Sequence, residues 1–266
     1  MVEKNNKTDV VANEQLLRQL LVEEKIESFR EYFLEIHPYD RAQFYERIGA
    51  EQRQILYRFL SPGEMADVFE AIDLEDDEYE EYLSEMDTSY VAAMLGFMYT
   101  DDAVDVLNEL DEDQRESYLE MMDTETVQEI NELLAYPEYT AGAIMTTEYV
   151  SITELSTVRS AMAVLRKKAP DAETIYYLFV VNDMHQLTGV LSLRDLIISD
   201  EDCLVRDIMS ERVVSVNVSE DQEAVAHIIK DYNFLAIPVI SDEKELLGII
   251  TVDDIIDVID EEAEDD

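Results

Sequence analysis

The second half of the chain repeats itself, and this repeat constrains the fold more than any other feature. Ile144-Met145 recurs 64 residues later as Ile208-Met209, and the segment 189–197, GVLSLRDLI, recurs 59 residues later as GIITVDDII. The first copy therefore carries five extra residues, around residues 167–174. Strand-like and helical runs alternate within each copy. We predict two copies of a strand–helix–strand–strand–helix unit, related by an approximate twofold axis.

The first half, from about residue 10 to residue 135, has only helical patterns. Ser61-Pro62-Gly63-Glu64 combines an N-cap residue, a proline at the first helical position and a capping-box glutamate. Short amphipathic stretches with short turns predict an all-α superhelix in which neighbouring helices stack. The helical spacing of apolar residues recurs at Val91, Met94, Leu95 and Met98, at Ala103, Val106, Leu107 and Leu110, and at Val127, Ile130 and Leu134.

The chain is extremely acidic, with a formal net charge of −45. Residues 59–158 hold one base, Arg115, among twenty-eight acids, and the final segment, TVDDIIDVIDEEAEDD, holds nine acids and no base. Like charges at i,i+4 weaken a helix, so this segment is costly in water alone. The charge argues against binding nucleic acid or an anionic membrane by electrostatics. A salt-adapted organism remains another explanation of the composition.

Composition also narrows the protein class. No apolar run reaches eighteen residues, the N-terminus lacks the apolar core of a signal peptide, and the single cysteine, Cys203, suits a reducing compartment. Three scattered histidines do not suggest a zinc site, and six dispersed glycines form no phosphate-binding loop. We therefore expect that the protein is not an enzyme.

The repeat resembles a tandem pair of cystathionine-β-synthase-type (CBS) domains. Segments 136–150, 171–177, 192–197, 221–223 and 251–254, together with the acidic helical region, resemble the cytosolic part of the MgtE family of bacterial magnesium transporters. The expected fold is thus a multi-domain one, with an all-α superhelix followed by an α/β CBS pair. The expected domains are a helical domain at 1–135, CBS domains at 136–200 and 201–262, and the start of a connecting helix at 263–266.

The resemblance implies a location and partners. Family members continue into a connecting helix and a membrane-spanning pore, so the chain is expected to be a soluble fragment from the cytoplasmic face of the bacterial inner membrane. Its expected partners are Mg²⁺ ions, the pore domain of the full-length protein and a second copy, because CBS pairs commonly associate face to face.

The resemblance also implies a mechanism, in which Mg²⁺ bound between acidic surfaces of the helical and CBS domains favours a compact state that closes the pore. Mg²⁺ takes oxygen ligands and keeps several waters, so loose groups of carboxylates suit it. Asn233 stands where the family pattern usually has an acid, which puts one site in doubt. The implied metal-binding residues are Asp67, Asp101, Asp105, Ala143 (through its carbonyl), Asp221, Glu223, Asp254, Asp257, Glu262, Asp265 and Asp266.

The CBS resemblance implies a nucleotide as the second ligand, with ATP as the candidate. Ser192-x-x-Asp195 and Thr251-x-x-Asp254 stand at strand-to-helix junctions. A Ser or Thr N-cap followed by an acid explains both motifs structurally. The CBS resemblance adds that such an Asp accepts hydrogen bonds from ribose hydroxyls. The implied nucleotide-binding residues are Tyr177, Ser192, Arg194, Asp195 and Thr251.

Three functions remain open from the sequence. The first is a Mg²⁺-sensing gate for a transport pore, and the second is an adenine-nucleotide-sensing CBS module whose acidity is incidental. The third is an acidic interaction scaffold with no small ligand. Because a ligand that binds only the folded state raises its stability, thermal melts with Mg²⁺, ATP or NaCl can separate the three.

Overall fold

A computed structural model describes residues 14–72, 74 and 76–265, apart from the side chains of 76, 77, 257 and 260–265. The described residues form two compact units. The first unit runs to Met98 and includes Asp102–Val127, and the second consists of Tyr99–Asp101 and the residues from Gln128 onward. Among the described residues, none of the helices combines the length and apolar character needed to cross a bilayer.

The N-terminal region is helical throughout its described length, as predicted. Helix α3 packs against α5, α5 against α7, and α7 against α9, the alternating contacts of a stacked helical array. The helices are α1 (14–22), α2 (Ile26–Glu35), α3 (Pro38–Arg47), α4 (Ala50–Phe59), α5 (Pro62–Phe69), α6 (Asp76–Ser84), α7 (Thr88–Leu95), α8 (Thr100–Asn108), α9 (Glu112–Leu119) and α10 (Thr124–Leu134).

Local sequence signals explain where these helices begin and which faces they bury. The capping box that opens α5 is present, with Ser61 Oγ accepting from Glu64 N at 3.3 Å and Glu64 Oε2 accepting from Ser61 N at 2.8 Å. The apolar stripes of α7 and α8 are buried as predicted. On α10 the predicted stripe differs from the buried face: Val127 and Leu134 are only partly buried, and the buried pair is Ile130 and Leu133, at i,i+3 spacing.

A buried arginine crosses the core of the first unit. Arg53 is 6% exposed, and its guanidinium donates to Glu85 Oε2 at 2.8 Å and to the carbonyl of Ile48 at 2.7 Å. Tyr57 donates to the same carboxylate at 2.8 Å, and the guanidinium lies 4.5 Å from the ring centroid of Tyr82. The charge is therefore paired, and each guanidinium nitrogen donates a hydrogen bond, the condition under which a buried cation is tolerated.

The second unit is the predicted α/β pair. Each half has a three-stranded sheet whose first two strands are parallel and whose last two are antiparallel. The strands are β1 (Ser151–Thr153), β2 (Tyr177–Val181), β3 (Leu187–Ser192), β4 (Val216–Asn217), β5 (Ala236–Ile240) and β6 (Leu246–Thr251). The helices are α11 (Val158–Lys168), α12 (Leu193–Ile198), α13 (Val205–Ile208), α14 (Gln222–Tyr232) and α15 (Val252–Asp265).

Several antiparallel bridges join the copies, and two of them lie at equivalent positions next to the last strand of each copy. Thr146 and Ile249 exchange backbone hydrogen bonds of 2.8 and 3.0 Å, and Val190 and Ser210 exchange bonds of 3.0 and 2.9 Å. The glycine preceding each bridge is required by close approach, since a Cβ on Gly248 would lie 2.6 Å from the Thr146 carbonyl oxygen. The predicted approximate twofold symmetry is therefore built into the backbone contacts.

We predict that Arg53→Ala lowers the free energy of unfolding by about 3–5 kcal/mol, because it leaves the buried Glu85 carboxylate without its cation. Arg58→Ala, on the same helix but in an exposed pair with Glu24, is the matched control and should cost less than about 1 kcal/mol. Urea unfolding followed by circular dichroism measures both. Equal losses in the two variants would contradict the importance of the buried pair.

Candidate functional site

The first cleft lies where β3 runs into α12. Ser192 caps α12, its Oγ accepting from Asp195 N at 3.1 Å and donating to Asp195 Oδ2 at 2.7 Å. Arg194 and Asp195 are exposed, and Tyr177 pairs with Ser192 in the β2–β3 register. The structure therefore gathers these four predicted nucleotide residues at one accessible place. The capping interpretation of Ser192 is confirmed, and the ribose-binding role of Asp195 stays a prediction.

The second cleft is the equivalent place at the junction of β6 and α15, and its polar groups are far less accessible. Thr251 is 4% exposed, and its backbone N and Oγ1 both donate to Asp254 Oδ2 at 2.8 Å. Glu148 Oε2 accepts from Thr146 Oγ1 at 2.7 Å. Glu173 interacts with the hydroxyls of Thr251 and Thr146, and its Oε2 is buried without a hydrogen-bond partner.

Burial disfavours the ionisation of two carboxylates in the second cleft. Burial, followed by repulsion from Asp254, raises the pKa of Glu173 to about 8. Burial also raises the pKa of Asp254, against the hydrogen bonds from Thr251 that lower it. Both shifts have the sign expected for carboxylates that are withdrawn from water. Such a place is electrostatically suited to a cation and unsuited to an anion.

Neither Glu148 nor Glu173 was among the predicted site residues. The signal available in the sequence was the five-residue insertion of the first copy, around residues 167–174, because a segment present in one copy only can place a side chain that the other copy lacks. Backbone pairing ties this insertion to the second cleft, with Glu173 N donating to the Glu148 carbonyl at 2.9 Å.

Three other predicted metal-binding residues lie near the start of α14. Asp221 caps this helix, its Oδ1 accepting from Glu223 N at 3.0 Å. The segment that contains Ala143 is held beside it, since Gln222 N donates to the Tyr139 carbonyl at 3.0 Å. The structure brings Ala143, Asp221 and Glu223 into one neighbourhood, and their binding of metal stays a prediction.

The predicted metal-binding residues of the helical region differ in burial and in the cations beside them. Asp67 Oδ2 accepts from Arg41 at 3.3 Å, so this carboxylate already has a cation. On α8, Asp101 is buried and groups with the second unit, whereas Asp105 is exposed and groups with the first. The prediction that this helix faces the end of the second CBS domain stays a prediction.

The acidic end of α15 carries the remaining predicted ligands. Asp257, Glu262 and Asp265 lie on this helix, but their side chains and the whole of Asp266 are outside the described residues. Within the part of the chain that is described, no group of three or more His, Cys, Asp or Glu side chains is arranged to hold a metal ion. One or two carboxylates with bound waters are nevertheless sufficient for Mg²⁺.

Asn233, the departure from the family pattern, has a local structural reason. It ends α14 with φ 53° and ψ 42°, the left-handed conformation, and its N–H donates to the Ile229 carbonyl. Asn tolerates this conformation better than most residues with a side chain. The residue therefore serves as a C-cap.

Comparisons with known proteins agree with this architecture. A model of the MgtE intracellular N domain matches residues 36–139, and a model of the CBS domain matches residues 141–201 and again residues 205–261. The magnesium transporter MgtE of Enterococcus faecalis is 53% identical over 251 residues, which cover 94% of this chain and 55% of that protein. The chain thus spans about half the length of the curated relatives it matches.

Two solved structures resemble this chain along nearly the whole of each solved chain. A crystal structure of the soluble part of a magnesium transporter has a TM-score of 0.93 at 52% identity, covering 96% of this chain and 99% of that chain. The cytosolic domain of the Mg²⁺ channel MgtE in complex with ATP has a TM-score of 0.84 at 38% identity, covering 91% of this chain and 98% of that chain.

We predict that Glu173→Gln gains stability relative to the wild type as the pH rises from 5 to 8. With its pKa at about 8 in the folded state, Glu173 keeps its proton through a window in which the unfolded chain ionises, so the wild type loses stability there. Between these pH values, the free energy of unfolding of the variant should rise by more than about 1 kcal/mol relative to that of the wild type, as measured by urea unfolding with EDTA present. Glu220→Gln, at an exposed position, is the control; the same pH dependence in both variants would contradict the prediction.

Proposed function

The chain belongs to the MgtE family, and from that premise we propose that it is the Mg²⁺-sensing regulatory region of a magnesium transporter. The family consists of transporters and not of enzymes, so the expectation that the chain is not an enzyme is confirmed. In the proposed mechanism, bound Mg²⁺ favours a compact state of the helical and CBS domains that closes the pore of the full-length protein.

The observation that carries this proposal is the pair of carboxylates in the second cleft. Glu173 and Asp254 both have raised pKa values, chiefly because burial disfavours their charged forms. A divalent ion would remove that cost by pairing with both, and Mg²⁺ accepts such a small set of carboxylates when waters complete its shell. Asp254 is also a metal-binding residue implied by the family resemblance.

A sensor of this kind needs two states with different affinities for the ion. A ligand that binds both states equally does not change their populations. A change of the population ratio from 1:99 to 99:1 needs about 5.5 kcal/mol of differential binding. Several weak sites can share this energy, and the other implied acidic residues would supply them. The acidic surfaces would then repel without metal and approach when metal neutralises them.

The proposed assembly is a homodimer formed through the CBS domains at the cytoplasmic face of the bacterial inner membrane, joined to a pore. Support for the dimer comes from large apolar side chains exposed at equivalent positions of the two copies. Ile197 on α12 corresponds to Ile256 on α15, and Tyr176 before β2 corresponds to Leu235 before β5. A face repeated in both copies is suited to a symmetric interface.

Nucleotide sensing is the second candidate function. The accessibility of Arg194 and Asp195 in the first cleft favours it. The similar cytosolic domain that was crystallised in complex with ATP supports adenine nucleotides as the ligand class. This candidate is compatible with Mg²⁺ sensing because the two clefts are separate places in the CBS pair.

We predict that millimolar Mg²⁺ raises the melting temperature more than NaCl of matched ionic strength does, since Mg²⁺ binds the folded state selectively. At a concentration 100-fold above the dissociation constant, the gain is about 2.7 kcal/mol. The effect should be larger at pH 8 than at pH 6, because protons compete with Mg²⁺ for Glu173. Asp254→Asn should reduce it, and Asp183→Asn, in an exposed turn, should not.

The same melts separate the alternatives. A rise with ATP but not with Mg²⁺ would favour the nucleotide module over the Mg²⁺ sensor. A response to salt without preference for any ion would instead favour the acidic scaffold.

We predict that X-ray scattering in solution gives a smaller radius of gyration in Mg²⁺ than in EDTA. Asp105→Lys, at an exposed position of α8, should make the protein more compact in EDTA because it replaces a repelling charge. Asp113→Lys, exposed on α9, controls for the change in net charge. Identical dimensions in Mg²⁺ and EDTA would count against the gating mechanism.

A further inference from the structure

Arg41 is a cation that the end of a neighbouring helix holds in place. Its Nε donates to the carbonyl of Ile36 at 3.0 Å, and its Nη2 donates to the carbonyl of Leu34. Both carbonyls lie at the end of α2, where a helix leaves its last carbonyls without partners inside the helix. The Arg41 side chain is only 11% exposed. Its guanidinium is therefore anchored whether or not an acid lies beside it.

The third nitrogen of this guanidinium is directed at a carboxylate on another helix. Arg41 Nη1 donates to Oδ2 of Asp67 at 3.3 Å, which joins α3 to α5, two helices that pack together. The Asp67 side chain, unlike that of the arginine, is 55% exposed. Asp67 thus faces an anchored cation on one side and water on the other.

Asp67 is held more loosely than two other acids of the same unit that pair with arginines. Glu64 accepts from two nitrogens of Arg30, and Glu85 accepts from two nitrogens of Arg53, at 2.5–2.8 Å. The bond that Asp67 accepts from its arginine measures 3.3 Å. An ion pair at a half-exposed carboxylate is weak, so a cation from solution can compete for this oxygen.

The place suits a cation, as the resident guanidinium shows, and its half-exposed carboxylate suits Mg²⁺. Mg²⁺ binds through one or two carboxylates and keeps several waters. An ion on the same oxygen would lie within about 5 Å of the guanidinium nitrogen, so the two cations repel each other. Arg41 cannot withdraw without cost, since the carbonyls of Leu34 and Ile36 would lose their donor.

We infer that Arg41 is a tethered cation that competes with Mg²⁺ for Asp67 and raises the Mg²⁺ concentration at which this carboxylate is occupied. The inference rests on the proposed Mg²⁺-sensing function and deepens it, because it names a residue that tunes one of the weak sites. A carboxylate with a resident cation binds Mg²⁺ at higher concentrations than one without. The acids of the chain therefore respond over a range of Mg²⁺ concentrations and not at a single threshold.

Isothermal titration calorimetry with MgCl₂ at constant ionic strength tests the inference on the intact chain. Arg41→Gln removes the charge and keeps a donor for the α2 carbonyls. It should lower the dissociation constant of Mg²⁺ at Asp67 about tenfold, as expected when a cation about 5 Å away is removed. The gain should disappear in Arg41→Gln/Asp67→Asn. Arg41→Lys keeps the charge and should bind Mg²⁺ as the wild type does.

Arg58→Gln is the matched control for net charge. Arg58 lies on α4 and pairs with Glu24, and both side chains are exposed, so its loss should leave Mg²⁺ affinity nearly unchanged. Asp67→Asn alone is a second test that needs no Arg41 variant to fold. It should remove only the weakest Mg²⁺ binding and leave the tightest unchanged. Melting temperatures in EDTA will show which variants are folded.

Any one of the following results would overturn the inference. These are Mg²⁺ affinity that is unchanged in Arg41→Gln, an equal gain in Arg58→Gln, a gain that survives in Arg41→Gln/Asp67→Asn, and loss of the tightest Mg²⁺ binding in Asp67→Asn. If the wild type binds no Mg²⁺ but Arg41→Gln gains binding through Asp67, the proposed sensing function fails and this inference stands. Absence of Mg²⁺ binding in both proteins contradicts both proposals.

Discussion

The pair of equivalent antiparallel bridges at Thr146–Ile249 and Val190–Ser210 fixes the geometry on which both clefts depend. Each bridge brings the segment before the first strand of one copy against the last strand of the other, at Thr146–Ile249 and Val190–Ser210. Gly248 and Gly189 permit this close backbone approach, since a Cβ there would collide with the partner segment. Side chains far apart in sequence thus meet at strand-to-helix junctions, twice, in equivalent surroundings.

The two copies share a backbone arrangement but differ in the side chains at their strand-to-helix junctions. Ser192 and Thr251 begin similar motifs, but the first junction carries the exposed Arg194 and the second holds partly buried carboxylates. The insertion that supplies Glu173 distinguishes them further. A duplicated backbone has in this way produced two junctions of different charge, with the exposed Arg194 at one and Glu173 beside Asp254 at the other.

Much of the acidic charge has local structural uses. Asp111, Asp123 and Asp221 accept hydrogen bonds from backbone N–H groups at the starts of α9, α10 and α14. Such N-caps stabilise helices and keep the carboxylates in water. Asp254 of the second cleft likewise accepts from Thr251 N, but burial raises its pKa and that of Glu173. Burial, and not the lack of a hydrogen bond, therefore distinguishes these acids from the exposed N-caps.

Periodicity and repetition in the sequence determined the helical first region, the duplicated α/β region and the capping box at Ser61, because these depend on neighbours along the chain. The family resemblance, and not periodicity, implied Ser192, Arg194, Asp195 and Asp254 as binding residues, and their binding roles stay predictions. Only the tertiary structure decided that Leu133 is buried in place of Leu134, that Asn233 takes a left-handed cap, and that Glu173 lies beside Asp254. Burial and contact across long sequence separations set the pKa values and the accessibility of each cleft, and no local pattern encodes them.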